Sequence, residues 1–178
     1  MKADFFQVLG LPRRFALDPA ELERSYLERS REVHPDRQAG GSAEQRIGAA
    51  GAAMLVNQAY RALRRELPRA EHLLELEGVA IGDNEPVAPE LLAEMLELRE
   101  ELAERKAAGD RAGLDRLEEA ARTRERGELS RLGELFAALE AAGPDERAER
   151  LAAIKAQVIL LRYLARYREA FEDEEEAA

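Results

Sequence analysis

Three features of this sequence predict an all-helical (all-α) protein. Apolar residues recur at three- and four-residue spacing along almost the whole chain, no stretch alternates long enough to make a strand, and the breaks fall at clusters of Gly, Pro, Asp and Asn. The expected architecture is an N-terminal helical hairpin followed, after a linker, by an antiparallel three-helix bundle. The length agrees, because 178 residues make one domain or two small ones.

The first long helix opens where Asp18 can cap it, with Pro19 at its first position and Glu21 at its third, the spacing of a capping box. It carries Leu22, Tyr26 and Val33 on one side, and Pro35 closes it. After a loop at 36–41, Ser42 and Gln45 repeat the capping-box spacing and open a second helix whose apolar positions include Ile47, Met54, Tyr60 and Leu63. Gly48 and Gly51 would allow close helix packing there, at a cost of about 1 kcal/mol each relative to Ala. A helical pattern then continues through 69–76 to Gly78, and 78–89 gathers Gly, Pro, Asp and Asn without periodicity, as a linker would. Beyond it come three helical segments, about 89–107, 110–141 and 145–172, separated by Gly109-Asp110 and by Gly143-Pro144-Asp145. The expected division is therefore 1–76, a linker at 77–88, a bundle at 89–172 and an acidic tail at 173–178.

Composition narrows the chemistry. The chain has no Cys, which excludes disulfides, thiol catalysis and thiolate-held zinc or iron–sulfur centres, and its only histidines are His34 and His72. Neither histidine has a Glu three residues before it, since Arg31 and Arg69 stand there, so the Glu-x-x-His pairs of a di-iron bundle are missing. No metal and no cofactor are expected. The glycine pairs lack a following Lys-Ser/Thr, so no phosphate loop is encoded. The net charge is −10, and it is unevenly spread: 12 basic and 11 acidic side chains up to Glu75, 15 and 26 after it. That excess argues against nucleic acid as a partner. The apolar runs are too short for a membrane span, and Lys2 and Asp4 do not fit a secretory leader, so a soluble, cytoplasmic monomer is expected.

One tripeptide carries functional information. His34-Pro35-Asp36 sits on the turn between the two capped helices, where Pro35 cannot donate a hydrogen bond and draws His34 out of helical geometry. Alone it reads as a helix stop. Its setting, after Tyr26 and before Asn57-Gln58-Ala59-Tyr60 with Leu63, resembles a J-domain. Further blocks follow in one order: Phe5-Phe6-Gln7-Val8-Leu9-Gly10-Leu11-Pro12 with Phe15 and Leu17-Asp18, then Arg69-Ala70-Glu71 with Leu73-Leu74, then Leu96-Glu97-Leu98-Arg99-Glu100-Glu101-Leu102. Together they are similar to the HscB family of iron–sulfur cluster co-chaperones over about residues 4–105, with the remainder agreeing in length and helical pattern.

The resemblance implies an N-terminal J-domain that engages HscA, a chaperone of the heat-shock protein 70 class, and stimulates its ATPase. The residues implied are His34, Pro35 and Asp36 with Arg24, Arg31 and Arg37. It also implies a bundle that binds an IscU-type scaffold, and no covalent chemistry in the chain itself. The chain departs from the family pattern at Gln38 in place of an aromatic, Arg29 in place of a Leu, Glu66 in place of a Pro and His72 in place of a Tyr. His72 reads as a packing residue. A J-domain adaptor for an unrelated client, or a purely structural helical protein, would fit the helical pattern equally well.

The helix from 89 has more apolar surface than one core face uses. At 100° per residue Leu91, Met95, Leu98 and Leu102 share an arc of about 60°, while Leu92 and Leu96 lie about 90° and 130° from its centre, on a flank that continues into Ala93, Glu97, Glu100 and Glu104. Such a stripe is either a wide core edged by solvated charge or a docking surface. The resemblance implies the second, with Leu92, Ala93, Leu96, Glu97, Glu100 and Glu104 on the scaffold-binding patch and Tyr163 as its aromatic on the last helix. That helix also has two apolar faces, Leu151, Ile154, Val158, Leu161 and Ala165 on one and Ile159, Leu160, Tyr163, Tyr167 and Phe171 on the other.

Overall fold

The structure is a computed structural model that describes residues 3–34, 42–82 and 85–172. Among these the chain is helical throughout, without a strand, and it divides into two compact units, Met1–Gly78 and Val79–Ala178.

The first unit opens with a helix that periodicity alone does not reveal. α1 (Phe5–Leu9) is only five residues long, and its ends make it: the Asp4 side chain accepts from the Phe6 and Gln7 backbone N–H groups, and Gly10 closes it at φ 71°. That left-handed conformation is open to Gly at no steric cost. α2 (Pro19–Glu32) starts as expected, with the Asp18 side chain accepting from Ala20 N–H, but Glu21 takes a hydrogen bond from Arg14 at 3.1 Å, not the reciprocal bond of a capping box. The box of α3 (Ala43–Leu63) is complete in both directions, Gln45 N–H to Ser42 at 3.3 Å and Ser42 N–H to Gln45 at 2.8 Å. α4 is Glu66–Leu76.

The core of this unit is Phe6, Leu9, Leu11, Phe15, Leu22, Val56, Ala59, Leu63, Ala70 and Leu74. On α3 the buried positions begin only at Val56, so two expectations fail. Ile47 and Met54 are each 73% exposed, and a Cβ placed at Gly48 or Gly51 would meet nothing within 4 Å. Core packing concentrates on the C-terminal half of α3, and the glycines serve no close approach. α2 is held against α3 by the stacked rings of Tyr26 and Tyr60, 4.1 Å apart, with the Tyr26 hydroxyl donating to Asn57 at 2.9 Å and the Tyr60 hydroxyl donating to Glu23. His72 is buried. It stacks 4.3 Å from Phe5, and its Nε2 accepts the Phe5 backbone N–H at 3.0 Å, so this ring pins α4 to the start of α1.

The second unit is a three-helix bundle of α5 (Pro89–Ala108), α6 (Arg111–Ala141) and α7 (Pro144–Glu172). Gly109 at φ 64° ends α5, Asp110 caps Gly113 N–H at 2.9 Å, and Arg105 holds the other Asp110 oxygen at 2.8 Å. A Cβ on Gly113 would stand 2.3 Å from Asp110 Oδ2, so the corner needs this glycine. Leu132, Phe136 and Leu139 of α6 and Ile154, Val158, Leu161 and Leu164 of α7 are buried, and Leu102, Ala121 and Tyr167 form a second cluster in which α5 takes part. Of the second apolar face of α7, Tyr167 thus lies in the core beside α5, while Ile159, Leu160 and Tyr163 stay half-buried. Phe171 packs on the same cluster.

Residues 79–82 and 85–88 also belong to this unit. Arg162 donates to the Gly82 carbonyl at 2.9 Å, Gly82 N–H donates to Glu85 at 2.7 Å, and Lys155 pairs with Glu85 at 3.0 Å, so the stretch lies strapped along α7.

Candidate partner-binding surfaces

α2 ends where the tripeptide begins. Its last turn closes with Val33 N–H donating to Arg29, and His34 follows as an exposed residue with non-helical backbone. Pro35, Asp36 and Arg37 lie outside the described residues. On α2, Arg24 and Arg31 are two turns apart and therefore share a face, which also carries Leu27, 42% exposed, and Glu28. Glu23 beside it is not loose, because the Tyr60 hydroxyl holds its carboxylate; that bond is the main cause that raises the Tyr60 hydroxyl above its ordinary range. What the face offers is two guanidinium groups around a leucine, on a helix braced from behind by two tyrosines.

The surface on α5 is described completely. Met95 and Leu102 are buried and Leu91 and Leu98 half-buried, as the core arc requires. Leu92 and Leu96 are 46% and 52% exposed, and Ala93, Glu97, Glu100 and Glu104 are all exposed. The stripe is therefore not a wide core. Lys106 donates to the Ala170 carbonyl at 2.7 Å and Leu102 packs in one cluster with Tyr167, so α5 and α7 run in the same direction, with Leu98 level with Tyr163 one turn back. Around the α5 axis, Met95, Leu102 and Lys106 mark the side next to α7, Leu92 and Leu96 come next, and the acidic residues lie beyond them.

Tyr163 is half-buried. It borders a shallow depression lined by Gly82, Glu85, Ile159, Arg162 and Arg166, with the Arg166 guanidinium 5.8 Å from its ring centre. The strap thus forms one wall beside Tyr163, a neighbour that sequence reasoning assigned to a plain linker. The only signal was a Glu three residues after Gly82, able to turn back on its N–H. Glu85 is held below the ordinary carboxylate range by the Gly82 N–H and by Lys155. Among the described residues no cluster of three metal-ligating side chains occurs, and no helix is long and apolar enough to cross a membrane.

Comparison with known proteins identifies the family. Residues 87–172 match the family model described as the HSCB C-terminal oligomerisation domain. A co-chaperone protein HscB homolog of Burkholderia multivorans is 40% identical over 139 residues, which cover 76% of this chain and 79% of that protein. The chain belongs to the HscB co-chaperone family. The solved HscB of Vibrio cholerae agrees, with a TM-score of 0.81 at 30% identity over 98% of this chain and 99% of that one. Human HscB shares the fold, with a TM-score of 0.84 at 23% identity over 99% of this chain and 84% of that one. The match to HscB of Proteus mirabilis, 42% identical over 101 residues, takes in 56% of this chain and 58% of that relative's length. As an HscB-type chain it has the all-helical fold expected, a J-domain followed by a helical bundle.

Proposed function

We propose that this protein is a co-chaperone of iron–sulfur cluster assembly that brings an IscU-type scaffold to an HscA-type chaperone. In this reading 1–76 is the J-domain, 77–88 the linker, 89–172 the scaffold-binding bundle and 173–178 an acidic tail. His34, Pro35 and Asp36, with Arg24, Arg31 and Arg37, engage the chaperone and stimulate its ATP hydrolysis allosterically; the chain performs no covalent chemistry. Leu92, Ala93, Leu96, Glu97, Glu100, Glu104 and Tyr163 receive the scaffold. Carrying both partners on one chain raises the effective concentration of scaffold at the chaperone.

The observation that carries the reading is the exposure of Leu92 and Leu96, 46% and 52%, on a helix whose core is already supplied by Met95 and Leu102, in a chain of the HscB family. Two leucines that leave the core unaided make a small apolar centre for affinity. The carboxylates beyond them steer a basic partner surface, so association should weaken as salt rises.

Steady-state ATP hydrolysis by HscA, with and without scaffold, tests this. Wild type is expected to stimulate synergistically with scaffold, and His34→Gln to abolish the stimulation. If His34 matters but the scaffold adds nothing, the client is a different protein and the assignment to cluster transfer fails.

A further inference from the structure

Residues 77–88 read from sequence as a plain linker, yet both ends of the stretch are anchored. At the near end Glu77 N–H donates to the Leu73 and Leu74 carbonyls and Gly78 N–H to that of Glu75, with Gly78 at φ 77°, so these two residues still belong to the end of α4. At the far end the strap is first fastened at Gly82. The Gly82 carbonyl accepts from Arg162 at 2.9 Å, its N–H donates to Glu85 at 2.7 Å, and Lys155 holds the same Glu85 carboxylate at 3.0 Å. Lys155 and Arg162 are seven residues apart on α7, so they share a face and stand about 10 Å apart along it. Exposure follows the same arrangement: Val79, Ile81, Glu85 and Val87 are half-buried, and Ala80, Gly82, Pro86 and Ala88 are exposed, the alternation of an extended chain laid along a surface.

Glu85 is the centre of this fastening. Its side chain is only 20% exposed, and its charge strengthens both the bond from Gly82 N–H and the pair with Lys155. Between the two anchorages lie only Val79, Ala80 and Ile81, and the two units divide there, after Gly78. With the strap off α7, the next anchorage is the start of α5 at Pro89, and the stretch between anchorages grows from the three residues 79–81 to the ten residues 79–88.

We infer that Glu85, Lys155 and Arg162 are positioning residues that keep the tether between the two units short, and so set how strongly a scaffold held by the bundle is concentrated at a chaperone held by the J-domain. This rests on the proposed function and deepens it. None of the three needs to touch either partner. Effective concentration falls with about the −3/2 power of tether length, so growth from three residues to ten dilutes the scaffold at the chaperone about sixfold. The affinity of each unit for its own partner is left as it was, because the strap adds nothing to either contact.

Steady-state ATP hydrolysis by HscA with the IscU-type scaffold, measured on the full chain, tests this. Three forms are compared with wild type. Glu85→Ala with Arg162→Ala releases the strap, Lys155→Arg keeps the pair with Glu85, and an insertion of seven Gly and Ser residues between Gly78 and Val79 lengthens the tether from three residues to ten with the strap intact. The concentration of co-chaperone that gives half of the scaffold-dependent stimulation is expected to rise about sixfold in the released and inserted forms alike, and to stay within about twofold in Lys155→Arg. Scaffold affinity by calorimetry and scaffold-independent stimulation should stay within about twofold throughout. Hydrogen exchange at the Gly82 amide should be slow in wild type and in the inserted form and fast in the released form. Synergy unchanged or raised in both lengthened forms overturns the tether and leaves the proposed function standing. Loss on release without loss on insertion gives the strap a local role beside Tyr163 and overturns the tether as well. A wild type without scaffold synergy removes the proposed function, and the tether falls with it.

Discussion

At the scale of single residues, the chain shows where side chains are spent and where they are not. Gly48 and Gly51 sit in the exposed half of α3 with open space where a Cβ would go. Replacing each with Ala should raise stability by about 0.5–1 kcal/mol by restricting the unfolded chain and restoring helix propensity, as urea melts would show. Reading these glycines as packing devices failed because spacing cannot report whether a neighbour is present. Tyr167 is the reverse case. Its hydroxyl is buried without a hydrogen-bond partner, and burial is what raises its pKa. Tyr167→Phe removes that unsatisfied group while keeping the ring edge-on to Phe171, so it should leave stability equal or raise it by about 1 kcal/mol in the same melts. His72 could be read as a packing residue from sequence, but not its bond to Phe5 N–H, which depends on where α1 ends up.

At the scale of elements, the long helices could be read from periodicity and caps because each carries its own signals: Asp18 and Pro19, the Ser42 and Gln45 box, Gly109, and Pro144. α1 was missed because five residues hold too little pattern, although Asp4 and Gly10 mark both ends. The strap at 79–82 and 85–88 was missed for another reason: its stability comes from Arg162 and Lys155, about 75 residues further along the chain, as the register of α7 dictates. Across the α5–α6 pair, Arg124 holds both oxygens of Glu94, at 2.5 and 2.9 Å, and this bond is the first cause that keeps Glu94 below its ordinary value of 4.5. A lowered folded pKa means that the stabilisation is complete above the ordinary value and is lost as pH falls through the lowered one. Because the pair is partly exposed, its contribution is small. Glu94→Gln should therefore lower stability slightly at neutral pH and flatten the acid limb of a stability-against-pH curve, and a curve parallel to wild type below pH of about 4 would contradict it.

At the scale of the whole molecule, the chain's two compact units each present a different set of exposed groups: arginines around Leu27 in the first, leucines and carboxylates in the second. If each surface has its own partner, the functions must come apart by mutation. His34→Gln should leave scaffold affinity within about twofold of wild type, and Leu92→Ala with Leu96→Ala should leave the scaffold-independent stimulation of HscA unchanged while removing the synergy. Calorimetry and ATPase rates on the same two variants decide it. The change of charge near Glu75 hints at two parts, but the aperiodic stretch expected to link them lies within the second unit from Val79 onward; which leucines leave the core could be read only as a choice between two outcomes, because a helical wheel gives directions without saying where the neighbouring helices stand.

The corner between α5 and α6 has a consequence in time. Arg105, Gly109, Asp110 and Gly113 fix the turn by contacts no more than a few residues apart in sequence, so this hairpin can assemble before any distant part of the chain has been found. The buried residues that join α5 to α7, Leu102 and Tyr167, close a much longer loop and can only follow. Packing of α5 on α7 should therefore follow the turns that join consecutive helices, and the side of the bundle that carries Leu92 and Leu96 next to α7 is among the last things to form.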